Sequence, residues 1–224
     1  LLACGTTANI WRHPTRARVV IKAPVACSWE SSESGELQKK FSNETQILEI
    51  LGEHRNIVRY LGLLDPSKPA RDLLFEEAIN GDLQQYLNTY GDITDNRQKL
   101  LWCENAAEGL SYCHKLGVRH CDLRPDNLLV DEDLNIRICD FGGSTCGELD
   151  GGGLPDFGYF DPRDEDVFSV SESMEVFGLG SIMYSIMTGH RPHGPSVFKS
   201  SESIVAYLIA KFLIQAFTLG PMSV

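Results

Sequence analysis

Asp122, Asn127 and Asp140 follow one another at intervals of five and then thirteen residues. They lie in the stretches His120-Cys121-Asp122-Leu123-Arg124-Pro125-Asp126-Asn127 and Asp140-Phe141-Gly142. Two carboxylates and an amide at this spacing are the set that magnesium-assisted phosphoryl transfer from ATP requires. One carboxylate orients an attacking hydroxyl and accepts its proton, while the amide and the second carboxylate hold the cation against the phosphates. Asp122 takes the first role in this reading, and Asn127 and Asp140 the second. Oxygen ligands suit a hard cation that keeps several of its waters. The alternative for an Asp and an Asn in a loop is turn formation through their own backbone. A lone Asp-Phe-Gly says little, and the combination carries the signal.

From Gly5 to Pro192 the chain resembles the eukaryotic protein kinase family. The landmarks fall in the family's order: Val19-Val20-Ile21-Lys22 for V-A-I-K, Glu44 on a later helix, and His54 followed by Asn56-Ile57-Val58. Phe75-Glu76-Glu77-Ala78 and Gly81-Asp82-Leu83 are similar to the hinge between lobes. Phe177-Gly178-Leu179-Gly180 and Thr188-Gly189 are similar to the large C-lobe helix and its exit. Pro155 to Pro192 is also similar in wording to short kinase-domain proteins of filamentous fungi. The resemblance implies an α+β, bilobal fold, with a small β-rich N-lobe over about residues 1–78 and a mostly helical, incomplete C-lobe over about 79–224. Together these would make one kinase domain. It implies ATP and Mg2+ as cofactors and transfer of the γ-phosphate to Ser or Thr hydroxyls of a protein substrate. Lys22, held by Glu44, would contact the α- and β-phosphates. Gly5, Ile10, Glu76, Ala78 and Asp140 complete the expected cofactor-binding set. Arg124 stands where Ser/Thr kinases carry Lys; it keeps the charge but replaces a point with a fork. Pro125 is like the Ser/Thr branch.

Several residues depart from the family pattern. Of the phosphate-covering glycines only the middle one, Gly5, remains, in Ala3-Cys4-Gly5-Thr6-Thr7-Ala8-Asn9-Ile10. Cys121 replaces the arginine that pairs with an activation-loop phosphate, so activity is not expected to need that phosphate. Gly151-Gly152-Gly153 is expected to make the loop after Asp140 mobile, with Ser144 and Thr145 as candidate modification sites. Phe160-Asp161-Pro162-Arg163 stands where A-P-E is expected. Glu175 stands where an Asp braces the catalytic loop, its extra methylene still compatible with a hydrogen bond. The stretch Lys211 to Val224 is unlike the last helices of a kinase, and the chain begins with Leu1, as a fragment would. These departures keep three other readings open: a nucleotide-binding pseudokinase scaffold, an inactive truncated fragment, and a small-molecule phosphotransferase on the same fold.

The elements that must position these groups are legible in part. Val19 to Lys22 reads as a strand, Ser28 to Glu36 as a loop, and Leu37 to Glu53 as a helix. At roughly 100° per residue, Phe41, Ile47, Leu48 and Leu51 form one apolar stripe with Glu44 near its centre. A carboxylate on a buried face is costly unless paired, and Lys22 on the preceding strand is the candidate partner. Ile57–Leu64 and Leu73–Glu76 read as strands around an Asp65–Pro69 turn. Thr94 or Asp95 is a candidate helix cap, with Gln98 completing a capping box. Trp102, Ala106, Leu110 and Cys113 share one face of the helix that follows, and Gly117 ends it. Leu128–Val130 and Leu134–Ile138 read as two strands whose pairing returns Asp140 to Asn127.

A length of 224 residues suits a substantial core. The net charge of −11 argues against nucleic acid or an anionic membrane as the main partner. Seven scattered cysteines without C-x-x-C fit a reducing, cytoplasmic or other intracellular compartment. Cys139, beside Asp140, is either a reactive thiol or a small buried strand residue. The apolar stretch Ile204–Leu219 is short for a membrane span and contains Lys211 and Gln215.

Overall fold

The computed structural model describes residues 1–25, 32–67, 72–156, 158–160 and 171–192. The expected segments Asp161–Arg163, Lys68–Pro69 and Ile204–Leu219 lie outside these residues.

Among the described residues, one antiparallel sheet runs in the order β1-β2-β3-β5-β4. Its strands are β1 (Ala3–Cys4), β2 (Ala8–Arg12), β3 (Val19–Pro24), β4 (Tyr60–Leu63) and β5 (Leu73–Glu76). The β-branched run of β3 pairs with β2 on one side and β5 on the other, so Lys22 sits opposite Ile10 and Leu73. Helix α1 (Ser32–Leu51) buries Phe41, Ile47, Leu48 and Leu51 and leaves Glu49 exposed. The helix therefore starts inside the Ser28–Glu36 segment expected as loop.

Helical elements follow. Asp82 caps α2 (Leu83–Tyr90) by accepting the Gln85 N–H, and Asp95 caps α3 (Asn96–Lys115) by accepting the Gln98 N–H at 2.7 Å. The Gln98 side chain does not return to the cap as a capping box requires. It donates instead to the Leu134 carbonyl, as does Trp102 Nε1, because the tight turn before the next strand leaves that oxygen without a ladder partner. Trp102, Ala106, Leu110 and Cys113 are all fully buried. Gly117 follows the helix at φ 74°, the left-handed conformation a chain reversal needs there.

Strands β6 (Leu128–Val130) and β7 (Ile136–Ile138) form an antiparallel hairpin. β7 is shorter than the sequence suggests because Leu134 takes φ 62° within the turn. The expected Ile57–Leu64 strand is likewise cut to β4, since Ile57 makes a bridge to Ile138 and not to the sheet. A second small hairpin, β8 (Thr145–Cys146) with β9 (Leu149–Asp150), follows Gly142. Helix α4 (Glu172–Thr188) is capped by Ser171 at one end and by Gly189 at φ 73° at the other. Nearly every side chain from Met174 to Met183 is buried, so α4 is an axis of the helical core and not a surface helix.

Candidate active site

Lys22 makes three charged hydrogen bonds within the site. Its Nζ donates to both carboxylate oxygens of Glu44, at 2.6 and 2.8 Å, and to Asp140 Oδ1 at 2.8 Å. Lys22 and Glu44 are buried, so the stripe argument for Glu44 is realised as an ion pair between β3 and α1. Burial disfavours the Lys22 charge, but the Glu44 and Asp140 carboxylates outweigh it and raise the pKa. The same ammonium lowers the Asp140 pKa against the opposing effect of burial. Asp140 therefore stays an anion, held at φ 64°, a left-handed conformation that the surrounding bonds must maintain.

The β6–β7 hairpin delivers the rest. Cys139 N donates to the Asn127 carbonyl at 2.9 Å, which sets Asp140 beside Asn127 as the strand pairing requires. Asn127 Nδ2 donates to the Asp122 carbonyl at 2.8 Å and to Asp122 Oδ2 at 3.1 Å. With the amide nitrogen so committed, the Asn127 Oδ1, which has no hydrogen-bond partner among the described residues, is the atom left to meet a cation. Burial raises the Asp122 pKa, with Arg124, His120 and Asn127 opposing.

Arg124 lies between two carboxylates: Nη1 donates to Asp156 at 3.0 Å, and Nε is 3.7 Å from Asp122 Oδ1. That Nε is buried without a hydrogen-bond partner among the described residues. A buried, unfilled guanidinium donor beside Asp122 fits an anionic oxygen, and the free Oδ1 of Asn127 beside the Asp140 carboxylate fits a hard cation. The residues present thus suit Mg·ATP.

Behind these side chains the loop is braced. Glu175 Oε1 accepts the Cys121 N–H at 2.8 Å, while Oε2 shares a 2.7 Å hydrogen bond with His114 Nε2. The longer Glu therefore does reach the loop. Cys121 is buried at φ 69°, with its Sγ 3.4 Å from the Arg119 carbonyl. The His120 ring packs edge-on against Phe141 and donates from Nε2 to the Cys139 carbonyl at 2.8 Å.

The remaining expected residues are placed as follows. Gly5 forms the β1–β2 turn, its N–H donating to the Ala8 carbonyl at 2.8 Å. An added Cβ there would come 3.1 Å from that oxygen. Ile10 pairs across from Lys22. Glu76 ends β5 and Ala78 lies two residues beyond it, but the Glu76 carboxylate is bound by Arg137 at 3.2 Å and is not part of the Lys22 group. Burial pushes the Cys139 thiol well above its usual pKa, which disfavours a reactive thiolate; the residue directly follows β7 and is partly buried.

Of the two candidate modification sites after Asp140, Thr145 is partly exposed and Ser144 is not, and the glycine run also differs from expectation. Ser144 is fully buried and donates its hydroxyl to the His120 carbonyl at 3.0 Å, so it offers no accessible acceptor. Gly151–Gly153 is not a loose run: Gly151 N donates to the Ser144 carbonyl and Gly153 N to the Gly143 carbonyl, at 3.1 and 2.9 Å. An added Cβ at Gly153 would lie 2.6 Å from the Gly143 oxygen, so the glycine is needed for close backbone approach. Asn43, His114 and the Asp156 partner of Arg124 were not singled out from sequence. Asn43, immediately before Glu44, is a polar residue that helix periodicity places near the buried face.

The family model for the protein kinase domain matches residues 3–216. The chain belongs to the protein kinase family. Among curated relatives, a probable LRR receptor-like serine/threonine-protein kinase of Arabidopsis thaliana is 32% identical over 186 residues, which is 75% of this chain and 19% of that protein. The testis-specific serine/threonine-protein kinase 1 of Mus musculus is 30% identical over 174 residues, 73% of this chain and 47% of that one. A calmodulin-binding receptor-like cytoplasmic kinase 3 of Arabidopsis thaliana is 28% identical over 167 residues, 70% and 32% of the two chains. The kinase domain thus spans less than half the length of these relatives. Among the described residues, no helix is long and apolar enough to cross a membrane.

Proposed function

We propose that this kinase domain transfers the γ-phosphate of ATP to Ser or Thr hydroxyls of a protein substrate. The observation that carries this reading is the meeting of two hydrogen-bonded groups, Lys22 with Glu44 and Asp140 and Asn127 with Asp122, joined by the backbone bond from Cys139 N to the Asn127 carbonyl. Residues 1–78 and 79–224 are read as its two lobes, working inside the cell.

Bound Mg·ATP supplies the phosphoryl group and the cation that spreads its charge. Lys22 would hold the α- and β-phosphates, with Gly5 and Ile10 on the hairpin above, and Asn127 and Asp140 would hold the metal. Asp122 accepts the proton of the substrate hydroxyl at a carboxylate oxygen, and Asn127 Nδ2 fixes the rotamer of that carboxylate. Burial, which raises the Asp122 pKa, strengthens it as a base. Arg124 would meet the transferred group with its unfilled Nε. The Ser/Thr choice rests on Pro125 and on the Ser/Thr kinases among the relatives.

The pseudokinase reading draws on Cys121 and the single glycine of the β1–β2 turn. It is separated from the first by incubating the chain with γ-labelled Mg·ATP and a mixed acceptor protein, then analysing the labelled amino acids. Phosphoserine or phosphothreonine supports the enzyme. Nucleotide-dependent thermal stabilisation without label transfer supports the scaffold.

A further inference from the structure

Asn43 occupies a position that the catalytic reading leaves unexplained. It is buried on α1 one residue before Glu44. Its Nδ2 lies 2.8 Å from the Ser144 carbonyl, 3.2 Å from that of Gly142 and 3.5 Å from that of Phe141. Three carbonyls facing one terminal atom identify it as the nitrogen, since an amide oxygen there would be repelled by all of them. Two amide hydrogens serve the two nearer oxygens, and the third contact is at the limit of a hydrogen bond.

The knot closes from the other side. Ser144 O also accepts from Gly151 N, so both its lone pairs are filled, and Gly153 N binds the Gly143 carbonyl. A Cβ at Gly151 would lie 2.7 Å from Asn43 Nδ2. Glycine is therefore what lets this strand of the loop press against both α1 and the segment after Asp140.

Consecutive residues of α1 thus hold the two flanks of that segment: Glu44 through Lys22 to Asp140, and Asn43 to the carbonyls of Gly142 and Ser144. The position that carries a phosphate-pairing arginine in the family pattern is Cys121 here. Cys121 is neutral and buried, and the Ser144 hydroxyl is consumed by His120.

We infer that Asn43 is a positioning residue which, with Gly151 and Gly153, clasps residues 140–144 in the arrangement that presents Asp140, in place of an activating phosphate. The inference rests on the proposed phosphotransfer for its purpose, but the clasp is testable without it.

The test is amide hydrogen exchange on the full chain in the wild type, Asn43→Ala, the near-isosteric Asn43→Asp and, as a control on the exposed face of α1, Gln46→Ala. Loss of the clasp accelerates exchange at Ser144, Gly151 and Gly153 by roughly tenfold or more in both Asn43 variants, since one buried hydrogen-bond donor is removed. Exchange in α3 from Trp102 to Cys113 stays at the wild-type rate, and Gln46→Ala matches the wild type throughout. Phosphatase treatment of the wild type leaves protection of the segment unchanged. Where the wild type transfers phosphate, kcat falls in the Asn43 variants and not in Gln46→Ala. An inactive wild type would refute the phosphotransfer reading while the exchange data still decide the clasp. Unchanged protection in Asn43→Asp, acceleration spread equally into α3, or loss of protection after phosphatase treatment would each overturn the inference.

Discussion

Cys139 N and Asn127 O, 2.9 Å apart, join the two strand ends on which the expected metal-holding residues sit. One backbone hydrogen bond between β7 and the turn before β6 thereby sets the spacing of Asn127 and Asp140 side chains that are thirteen residues apart in the chain. The site's geometry is in this sense a property of hairpin register. A slip by one residue would turn Asp140 to the opposite face.

The buried Lys22–Glu44 pair should respond asymmetrically to substitution. Glu44→Ala leaves the ammonium buried with Asp140 alone and is expected to cost about 3 kcal/mol in denaturant unfolding. The double variant Lys22→Met with Glu44→Leu removes both charges and should recover most of that loss, while phosphate transfer stays abolished. Equal destabilisation by the single and double variants would contradict the pairing argument.

Alkali should act on stability through Lys22 itself and acid through its partner Asp140. The raised Lys22 pKa contributes stability that is fully present below its unfolded value, about 10.4, and is lost as pH rises through the folded value. The lowered Asp140 pKa contributes stability present above its unfolded value, about 3.9, and lost as pH falls through the folded one. Melting temperature against pH should therefore fall at both ends, and Asp140→Asn should flatten the acid side.

Transfer activity should have its acid limb higher than an ordinary carboxylate's. Asp122 must be ionised to accept the hydroxyl proton, and burial raises its pKa above the usual value of about 3.9. A profile of kcat/KM against pH whose acid limb falls at or below that value would show that another group governs the step.

Glu175 braces the loop with two separate oxygens, and its removal should be felt at both ends. Glu175→Ala leaves the Cys121 N–H and His114 without this acceptor and is expected to destabilise by about 2 kcal/mol. Glu175→Gln keeps one acceptor oxygen and should lose less. The two variants' midpoints in a denaturant titration distinguish them.

Much of this site is legible in the amino-acid sequence. The Lys22–Glu44 pair follows from two facts about sequence, a carboxylate inside an apolar stripe and a lysine on the preceding strand. The hairpin that returns Asp140 to Asn127 follows from the two short strand-like runs Leu128–Val130 and Leu134–Ile138 on either side of Asp131-Glu132-Asp133. Bonds to backbone carbonyls were not legible. Asn43 reads as one more polar residue of a helix, and its partners, the carbonyls of Gly142 and Ser144, have no identity in a sequence. Gly151–Gly153 was misread for the same reason: a glycine run signals freedom of φ and ψ, and here its small size is what matters. Gln98 matched the capping-box pattern and went elsewhere, because a tertiary acceptor, the Leu134 carbonyl, competed with the local one.

The central claim is that Asp122 acts as the base of a phosphotransfer site built by Lys22, Asn127 and Asp140. The most direct test measures kcat for phosphate transfer to a Ser/Thr acceptor at saturating Mg·ATP, in the wild type and in Asp122→Asn, with nucleotide affinity measured alongside. The account predicts transfer by the wild type, a fall of roughly a hundredfold or more in the variant, and nearly equal nucleotide affinity in both. Equal rates in the two proteins, or no transfer by a wild type that binds Mg·ATP, would contradict it.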